Sequence, residues 1–273
     1  MPALYIVATP IGNLEDISLR ALRLLGQVKL IAAEDTRTTR QLLNAYNIKT
    51  PLTSYHEHNK RAKLGYLLEC LAEKDVALVS EAGMPGLSDP GYELIAAAIE
   101  HGVPVVPVPG ASAVITAVVV SGLPAGQFLY LGFLPRRHGD RQRVFQAVAD
   151  EPWTVVAFEA PHRLLGTLKD ALEIFGDRKL AVCRELTKVH EEVFRGRLSQ
   201  AIEHFAQPKG EFTLVIEGKP RQKPEITEQV ETELYELYRQ GSGAREAVAR
   251  LSETSGVSKK ELYQAWLRLA KGE

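Results

Sequence analysis

The sequence predicts an α/β protein of two domains, the first on a mostly parallel sheet and the second on a mixed sheet, followed by a small helical tail. Three observations predict it. Short β-branched runs alternate with amphipathic segments across the first 120 or so residues, the pattern of a parallel sheet covered on both faces. A second set of strand-like runs begins near Gly126, and two of them are joined across residues 186–192 by a connection short enough for antiparallel pairing. Beyond a charged, proline-bearing stretch at 219–229 no strand signal remains. The expected boundaries are therefore 1–115, 116–220 and 225–273.

In the first domain "ALYIVA" (3–8), "KLIAAE" (29–34), "DVALVS" (75–80) and "VPVVPV" (103–108) read as strands. The segments between them read as helices. "ISLRALRLLGQV" places Leu22, Leu25 and Val28 on one face, and "GYELIAAAIEHG" groups Leu94, Ala98 and Ile99. The second domain offers "FLYLGFL" (128–134), "TVVAFE" (154–159), "KLAVCREL" (179–186), "EVFRG" (192–196) and "EFTLVIEG" (211–218) as strands. In the tail, Ala247, Val248 and Leu251 share one helical face and Leu262, Ala265, Trp266 and Leu269 the next, across a "TSGVS" turn. Ser258 with Glu261 forms a capping-box signature there. Two short helices around such a turn match both a helix-turn-helix outline and a simple helical cap that buries Trp266.

Composition excludes several classes. With 45% hydrophobic residues the chain has ample core-forming material, and 33 basic against 34 acidic side chains leave nucleic-acid binding to local patches, with no global field. The two cysteines, Cys70 and Cys183, have no zinc-type spacing, so no metal is expected and a cytoplasmic, reducing location is. The N-terminus lacks a signal pattern, and the most apolar stretch, 103–123, is broken by Pro104, Pro107, Pro109 and Gly110. Neither secretion nor membrane insertion is expected.

Three strand-to-helix loops are rich in proline and glycine: "TPIGNLED" (9–16), "EAGMPGLSDPG" (81–91) and "PVPGASA" (107–113). The second is longer than such connections usually are, and long loops are often functional. Its end, "SDP", is accounted for by helix capping, with Ser88 or Asp89 as N-cap and Pro90 as first helical residue. Its beginning is not. There is no G-x-G-x-x-G after the first strand, no G-x-x-x-x-G-K-S/T and no G-x-S-x-G anywhere, which excludes the common dinucleotide, nucleotide triphosphate and hydrolase sites. Proline presents a carbonyl and no N–H, so these loops suit a cationic or neutral ligand with adenine and amino-acid parts better than a polyphosphate.

Seven segments, "LYIVATPIGNLEDIS", "AAEDTRTTRQLL", "SEAGMPGLSDPG", "VPVPGASA", "EAPHRL", "RELTKVHEEVFRG" and "KGEFTLVIEG", occur together and in this order. The sequence closely resembles the ribosomal RNA small subunit methyltransferase I family, a branch of the tetrapyrrole methylase superfamily, over nearly its whole length. The resemblance implies two α/β domains of the tetrapyrrole methylase type. It also implies S-adenosylmethionine as cofactor and methylation of a cytidine ribose 2′-OH in the decoding region of 16S-type ribosomal RNA. Small-subunit rRNA, within the 30S particle, and a second copy in a homodimer are the implied partners. A tetrapyrrole C-methyltransferase and a non-catalytic ribosome-assembly RNA-binding protein are the alternatives. Against the pattern that the resemblance implies, with Asp at 81 and Thr at 84, this chain carries Glu81 and Met84; if a hydroxyl at position 84 contacts ligand in that family, the contact is absent here.

The residues expected to hold the cofactor are Pro10, Gly83, Pro85, Asp89, Pro109, Gly110, Ser112 and Ala113, with carbonyls around the sulfonium; Asp89 and Ser112 have helix capping as the structural alternative. Segments near "FLYLGFL" and "GEFTLVIEG" are expected to close over the adenine, as the superfamily resemblance implies. A ribose hydroxyl is a weak nucleophile, and a proton acceptor within reach would help. Asp35, Glu159, Lys188 and His190 are the candidates, although Asp35 also suits the cap of a helix starting at Thr36 and Glu159 a pair with Arg163. Arg37, Arg40, Arg136, Arg137, Arg141, His162, Arg163, Lys259 and Lys260 form the expected RNA surface. The densest basic run, "LPRRHGDRQR", is opposed only by Asp140 in sequence and otherwise reads as a solvated helix face.

Overall fold

The computed structural model describes residues 1–220 and 226–271; residues 221–225 of the expected linker lie outside the described residues. Met1–Lys219 and Pro220–Glu273 form two compact units. The first unit opens with β1 (Leu4–Val7), α1 (Leu19–Gln27), β2 (Leu30–Ala33), α2 (Thr36–Ala45), β3 (Leu52–Ser54), α3 (Lys60–Glu73), β4 (Val76–Val79), α4 (Tyr92–Glu100), β5 (Val105–Val108) and α5 (Ala113–Ser121). The five strands form an all-parallel sheet in the order β3-β2-β4-β1-β5. Helices cover both faces: Leu24, Leu25, Leu42 and Leu43 of α1 and α2 pack on one, Leu67, Leu71, Leu94 and Ala98 of α3 and α4 on the other. That two-sided burial is why β2 and β4, "LIAA" and "VALV", read as unbroken apolar runs.

The strand β3 is absent from the sequence reading. Its three half-buried residues, "LTS", sit at the sheet edge and show neither an apolar run nor alternation. Two local expectations are also corrected. Ile99 does not join Leu94 and Ala98 in the core, because it lies 100° round the helix and is 61% exposed; Ile95 packs there instead. Neither Ser88 nor Asp89 caps α4, and Pro90 is not its first residue. Ser88 adopts φ 64° and Gly91 φ 152°, and this excursion delays the helix to Tyr92, with Gly91 as an N-cap that makes no side-chain cap bond.

The second sheet contains β6 (Phe128–Phe133), β7 (Thr154–Glu159), β8 (Lys179–Arg184), β9 (Glu192–Arg197) and β10 (Phe212–Ile216), in the order β6-β7-β10-β8-β9. Only β6 and β7 pair in parallel; β7–β10, β10–β8 and β8–β9 are antiparallel, as the short 186–192 connection requires. One face is covered by α6 (His138–Val148), α7 (Pro161–Phe175) and α8 (Leu198–His204) through Phe145, Leu164, Leu168, Phe175, Leu198 and Phe205. The other is covered by α5, whose Val114, Ala117 and Val118 pack with Val156, Ala181, Cys183 and Val215. Ile11, from the loop after β1, joins that same cluster, so the two sheets meet through α5 and the 9–16 loop.

The second unit consists of α9 (Glu228–Arg239), α10 (Ala244–Ser255) and α11 (Lys259–Lys271) around Leu234, Val248, Leu251, Leu262 and Trp266. Gly256, at φ 71°, ends α10, and Ser258 then accepts the Glu261 N–H at 3.2 Å and donates to its carboxylate at 2.6 Å. Among the described residues no helix is long and apolar enough to cross a membrane, and no cluster of three or more His, Cys, Asp or Glu suits a metal ion.

Candidate active site

Because the first sheet is parallel, the loops leaving β1, β4 and β5 share one edge, where open α/β sheets bind ligands. The first two are stitched together. Thr9 donates its N–H to the Gly83 carbonyl at 2.9 Å, and Gly83 returns an N–H to Thr9 at 3.1 Å. The hydroxyls of Thr9 and Ser80, both buried, also point at the Gly83 carbonyl, at 3.4 and 3.2 Å. The far end of the 81–91 loop folds back on itself: a Cβ at Gly91 would stand 3.0 Å from the Gly86 nitrogen. Pro85 and Gly83 are buried, Pro10 half-buried, and Pro109 and Gly110 exposed. Met84, half-buried, packs on the core beneath the sheet and offers that edge nothing polar.

Freed of any capping role, Asp89 is half-buried beside the carboxylates of Glu34 and Glu81. Burial first, then the charge of Glu34, raises its pKa to about 7 against the hydrogen bond from Ser80 that holds it back. Such a carboxyl lacks a cation. Ser112 does cap α5, accepting the Ile115 N–H at 3.4 Å, and Ala113 begins that helix.

The second sheet supplies the opposite wall. Ser88 shares a 2.7 Å hydrogen bond with Tyr130 of β6, whose pKa is raised chiefly by burial. The β8–β9 connection holds two non-glycine residues at positive φ, Glu185 at 50° and Thr187 at 67°, a conformation that costs energy and marks over-determined, often functional segments. It presses on the 9–16 loop so closely that a Cβ at Gly12 would stand 2.8 Å from the Leu186 carbonyl and 2.8 Å from the Thr187 hydroxyl. That hydroxyl is buried and has no partner among the described residues.

The expected proton acceptors are differently placed. Asp35 caps α2, accepting the N–H groups of Arg37 and Thr38, and pairs with the Arg37 guanidinium at 2.8 Å; hydrogen bonds from Arg37 hold its pKa at about 2. Glu159 is buried, its oxygens taken by Arg163, Thr167 and its own neighbour's N–H. Lys188 reaches Glu185 and Glu211 at 3.0 Å each; burial lowers its pKa, but those two bonds outweigh it and the net shift is upward. His190 is exposed. Lys188 lies against the loop from β1, its Cγ 2.5 Å from where a Gly12 Cβ would stand, whereas Glu159 is turned toward α7.

A family model described as "Tetrapyrrole (Corrin/Porphyrin) Methylases" matches residues 3–202. A protein of Thermotoga maritima named ribosomal RNA small subunit methyltransferase I is 51% identical over 222 residues, 80% of this chain and 100% of that one. Proteins of the same name from Synechocystis (46% identical, 98% of this chain, 99% of that one) and Halalkalibacterium halodurans (44%, 96% and 94%) match almost end to end. The chain belongs to the ribosomal RNA small subunit methyltransferase I family of tetrapyrrole methylases. Among solved structures, diphthine synthase superposes with a TM-score of 0.64 at 16% identity, over 80% of this chain and 90% of its own. A uroporphyrin-III C-methyl transferase of Thermus thermophilus, complexed with S-adenosyl homocysteine, superposes with 0.59 at 21%, over 79% and 97%. At such identities the likeness establishes the tetrapyrrole methylase fold.

The basic surface of this tetrapyrrole methylase is narrower than the sequence suggests. Arg37, Arg40, Arg136, Arg137 and His162 are exposed, and so are Lys259 and Lys260 in the separate helical unit. Arg141 is a correction: it is 6% exposed and bound to Asp170, so it does not belong to a solvated run opposed only by Asp140, which pairs instead with Arg143. Arg163 is mostly buried against Glu159. Glu34, Ser80, Tyr130 and Thr187 escaped the sequence reading. The signal for Glu34, Ser80 and Thr187 is position, in the segments that follow β2, β4 and β8, whereas Tyr130 lies inside β6, in the "FLYLGFL" segment expected near the adenine.

Proposed function

We propose that this chain transfers a methyl group from S-adenosylmethionine to the ribose 2′-OH of a cytidine in the decoding region of 16S-type ribosomal RNA. The observation that carries the reading is identity of 44–51% to proteins named ribosomal RNA small subunit methyltransferase I, over 94–100% of their lengths. The loops at the carboxyl edge of the first sheet fit a cationic cofactor. Proline-rich turns at Pro10, Pro85 and Pro109 offer carbonyls, Gly83 at φ 79° and Gly110, whose added Cβ would stand 3.0 Å from Ala8, let the loops pack closely, and Ser112 and Ala113 flank them at the start of α5. Asp89 is a carboxyl whose ionisation is favoured by an incoming ammonium.

The cofactor supplies a methyl group on a sulfonium, and its displacement is in line, so alignment of oxygen, methyl and sulfur supplies most of the rate. Of the expected proton acceptors, Asp35 at a pKa of about 2 is a weak base at neutral pH. Lys188 stays protonated between its two glutamates and suits orientation of a substrate oxygen better than proton removal. Glu159 is engaged on both oxygens. Arg37, Arg40, Arg136, Arg137 and His162 are the exposed groups for RNA phosphates, with Lys259 and Lys260 of the tail helices added to them. We extend the proposal to a 30S particle as substrate, a cytoplasmic location and a homodimer. The exposed Tyr92 and Ile99 of α4 and Ile115 and Val119 of α5 are apolar surface suited to a second copy.

The test is tritiated methyl incorporation into 30S particles, free 16S rRNA and a tetrapyrrole. Label in the ribosomal substrate alone is expected. Label in the tetrapyrrole, or in none of the three, refutes the reading.

A further inference from the structure

Two arginines that the sequence places on the RNA surface are turned the other way. On α6, Arg141 donates from Nε to Asp170 Oδ2 of α7 at 2.6 Å, its Nη2 stands 2.5 Å from the same oxygen, and its Nη1 reaches the Pro135 carbonyl at 3.4 Å. His138 Nδ1 lies 2.8 Å from the other Asp170 oxygen. In the first turn of α7, Arg163 Nη2 stands 2.6 Å from Glu159 Oε1 and its Nη1 donates to the Leu134 carbonyl at 3.0 Å. Glu159 is completed by the Thr167 hydroxyl at 2.5 Å and the Ala160 N–H at 2.8 Å. Two adjacent peptide carbonyls, 134 and 135, are thus each gripped by a guanidinium whose carboxylate partner is buried. The next two residues are Arg136 and Arg137, both exposed, and their side chains make no hydrogen bond or ion pair with any described residue.

Buried ion pairs add little stability beyond what apolar replacements of equal volume would give, so two of them flanking one loop need another reason. A guanidinium presents its N–H donors in a rigid fork, so one nitrogen meets the carboxylate while another holds the carbonyl in a fixed direction. We propose that Arg141 and Arg163 are positioning residues, which hold the 134–137 segment so that Arg136 and Arg137 meet RNA phosphates in one register, and do not touch the RNA themselves. A loop already held in place pays no ordering cost when the substrate arrives. The benefit falls on KM for the ribosomal particle and leaves the chemical step alone. The inference rests on the rRNA methyltransferase reading above.

The experiment uses the full chain, 30S particles and labelled S-adenosylmethionine. Arg163→Lys keeps a cation beside Glu159 but replaces the rigid two-nitrogen fork with one freely rotating ammonium, which does not fix the Leu134 carbonyl in the same direction. The expected result is a KM for 30S raised roughly five- to tenfold, with kcat and cofactor affinity within about twofold of the parent. A merely structural ion pair would be satisfied by lysine and leave KM unmoved, which overturns the inference. In an Arg136→Ala, Arg137→Ala background Arg163→Lys should raise KM no further; an additive rise means that Arg163 acts outside this loop, and also overturns it. Arg141→Lys repeats the test through the independent Asp170 pair should the first variant fold poorly. If Arg136→Ala, Arg137→Ala alone leaves KM unchanged while methyl transfer persists, the positioning inference falls and the methyltransferase reading stands. Absence of transfer by the parent chain removes that reading itself.

Discussion

Asp89 makes cofactor binding depend on pH in a direction that can be worked out beforehand. Its pKa stands at about 7 in place of 3.8, through burial and the charge of Glu34. If the carboxylate is the form that binds a cationic ligand, the apparent Kd scales as one plus the ratio of protonated to ionised Asp89. That factor is about 11 at pH 6 and about 1.1 at pH 8, so affinity should strengthen about tenfold across the interval. The sign for folding is opposite. A carboxyl with a raised folded pKa favours the native state below its unfolded pKa, and that contribution is lost as pH rises from about 4 to about 7. Calorimetric titration of S-adenosylmethionine at pH 6, 7 and 8 measures the effect. The ligand's own amine titrates near the top of this range, so Asp89→Asn is the reference that carries the ligand's titration alone. The difference between the two profiles should be about tenfold; parallel profiles would refute the claim that Asp89 meets the cofactor's charge.

The other predictions follow from contacts already described. In Gly12→Ala the new methyl would lie 2.8 Å from the Leu186 carbonyl and 2.5 Å from Lys188 Cγ, an overpacking that costs about 1–3 kcal/mol; thermal unfolding should fall accordingly and cofactor affinity with it, and an unaltered protein would show that the 9–16 and 185–191 loops need not touch. Arg136→Ala with Arg137→Ala should weaken RNA binding and reduce the slope of log affinity against log salt by roughly 1.5; an unchanged slope returns the pair to solvated surface. Deleting 220–273 should leave a folded unit that binds S-adenosylmethionine, since four fifths of this chain suffices to match the whole Thermotoga maritima relative. Methylation of 30S by the truncated chain should nevertheless fall steeply for want of Lys259 and Lys260, whereas full activity would assign the tail to packing alone.

What the sequence shows and what it hides divide along physical lines. Central strands such as β2 and β4 are legible because burial on both faces forces an apolar run, whereas β3, three half-buried edge residues, carries no such constraint. The loops at the carboxyl edge are legible because proline and glycine mark them. Their internal geometry is not: "SDP" matches a capping pattern, and only the positive φ of Ser88 and Gly91 releases Asp89 from that duty. The buried state of Arg141 was half visible, since it lies one turn before Phe145 on the same face of α6. Its partner, Asp170, is 29 residues away and no local pattern announces it. Long-range pairing decides such cases, and a charge run alone does not disclose it.

The central claim is that this cofactor edge and basic loop serve transfer to a ribose oxygen of small-subunit RNA. Nucleoside-resolved mass spectrometry of 16S rRNA from 30S particles incubated with the chain and S-adenosylmethionine tests it most directly. The account predicts one new 2′-O-methylcytidine in the decoding region, lost when cofactor is omitted. A methyl group on a base carbon or nitrogen, or no new methyl group in the RNA, would contradict it.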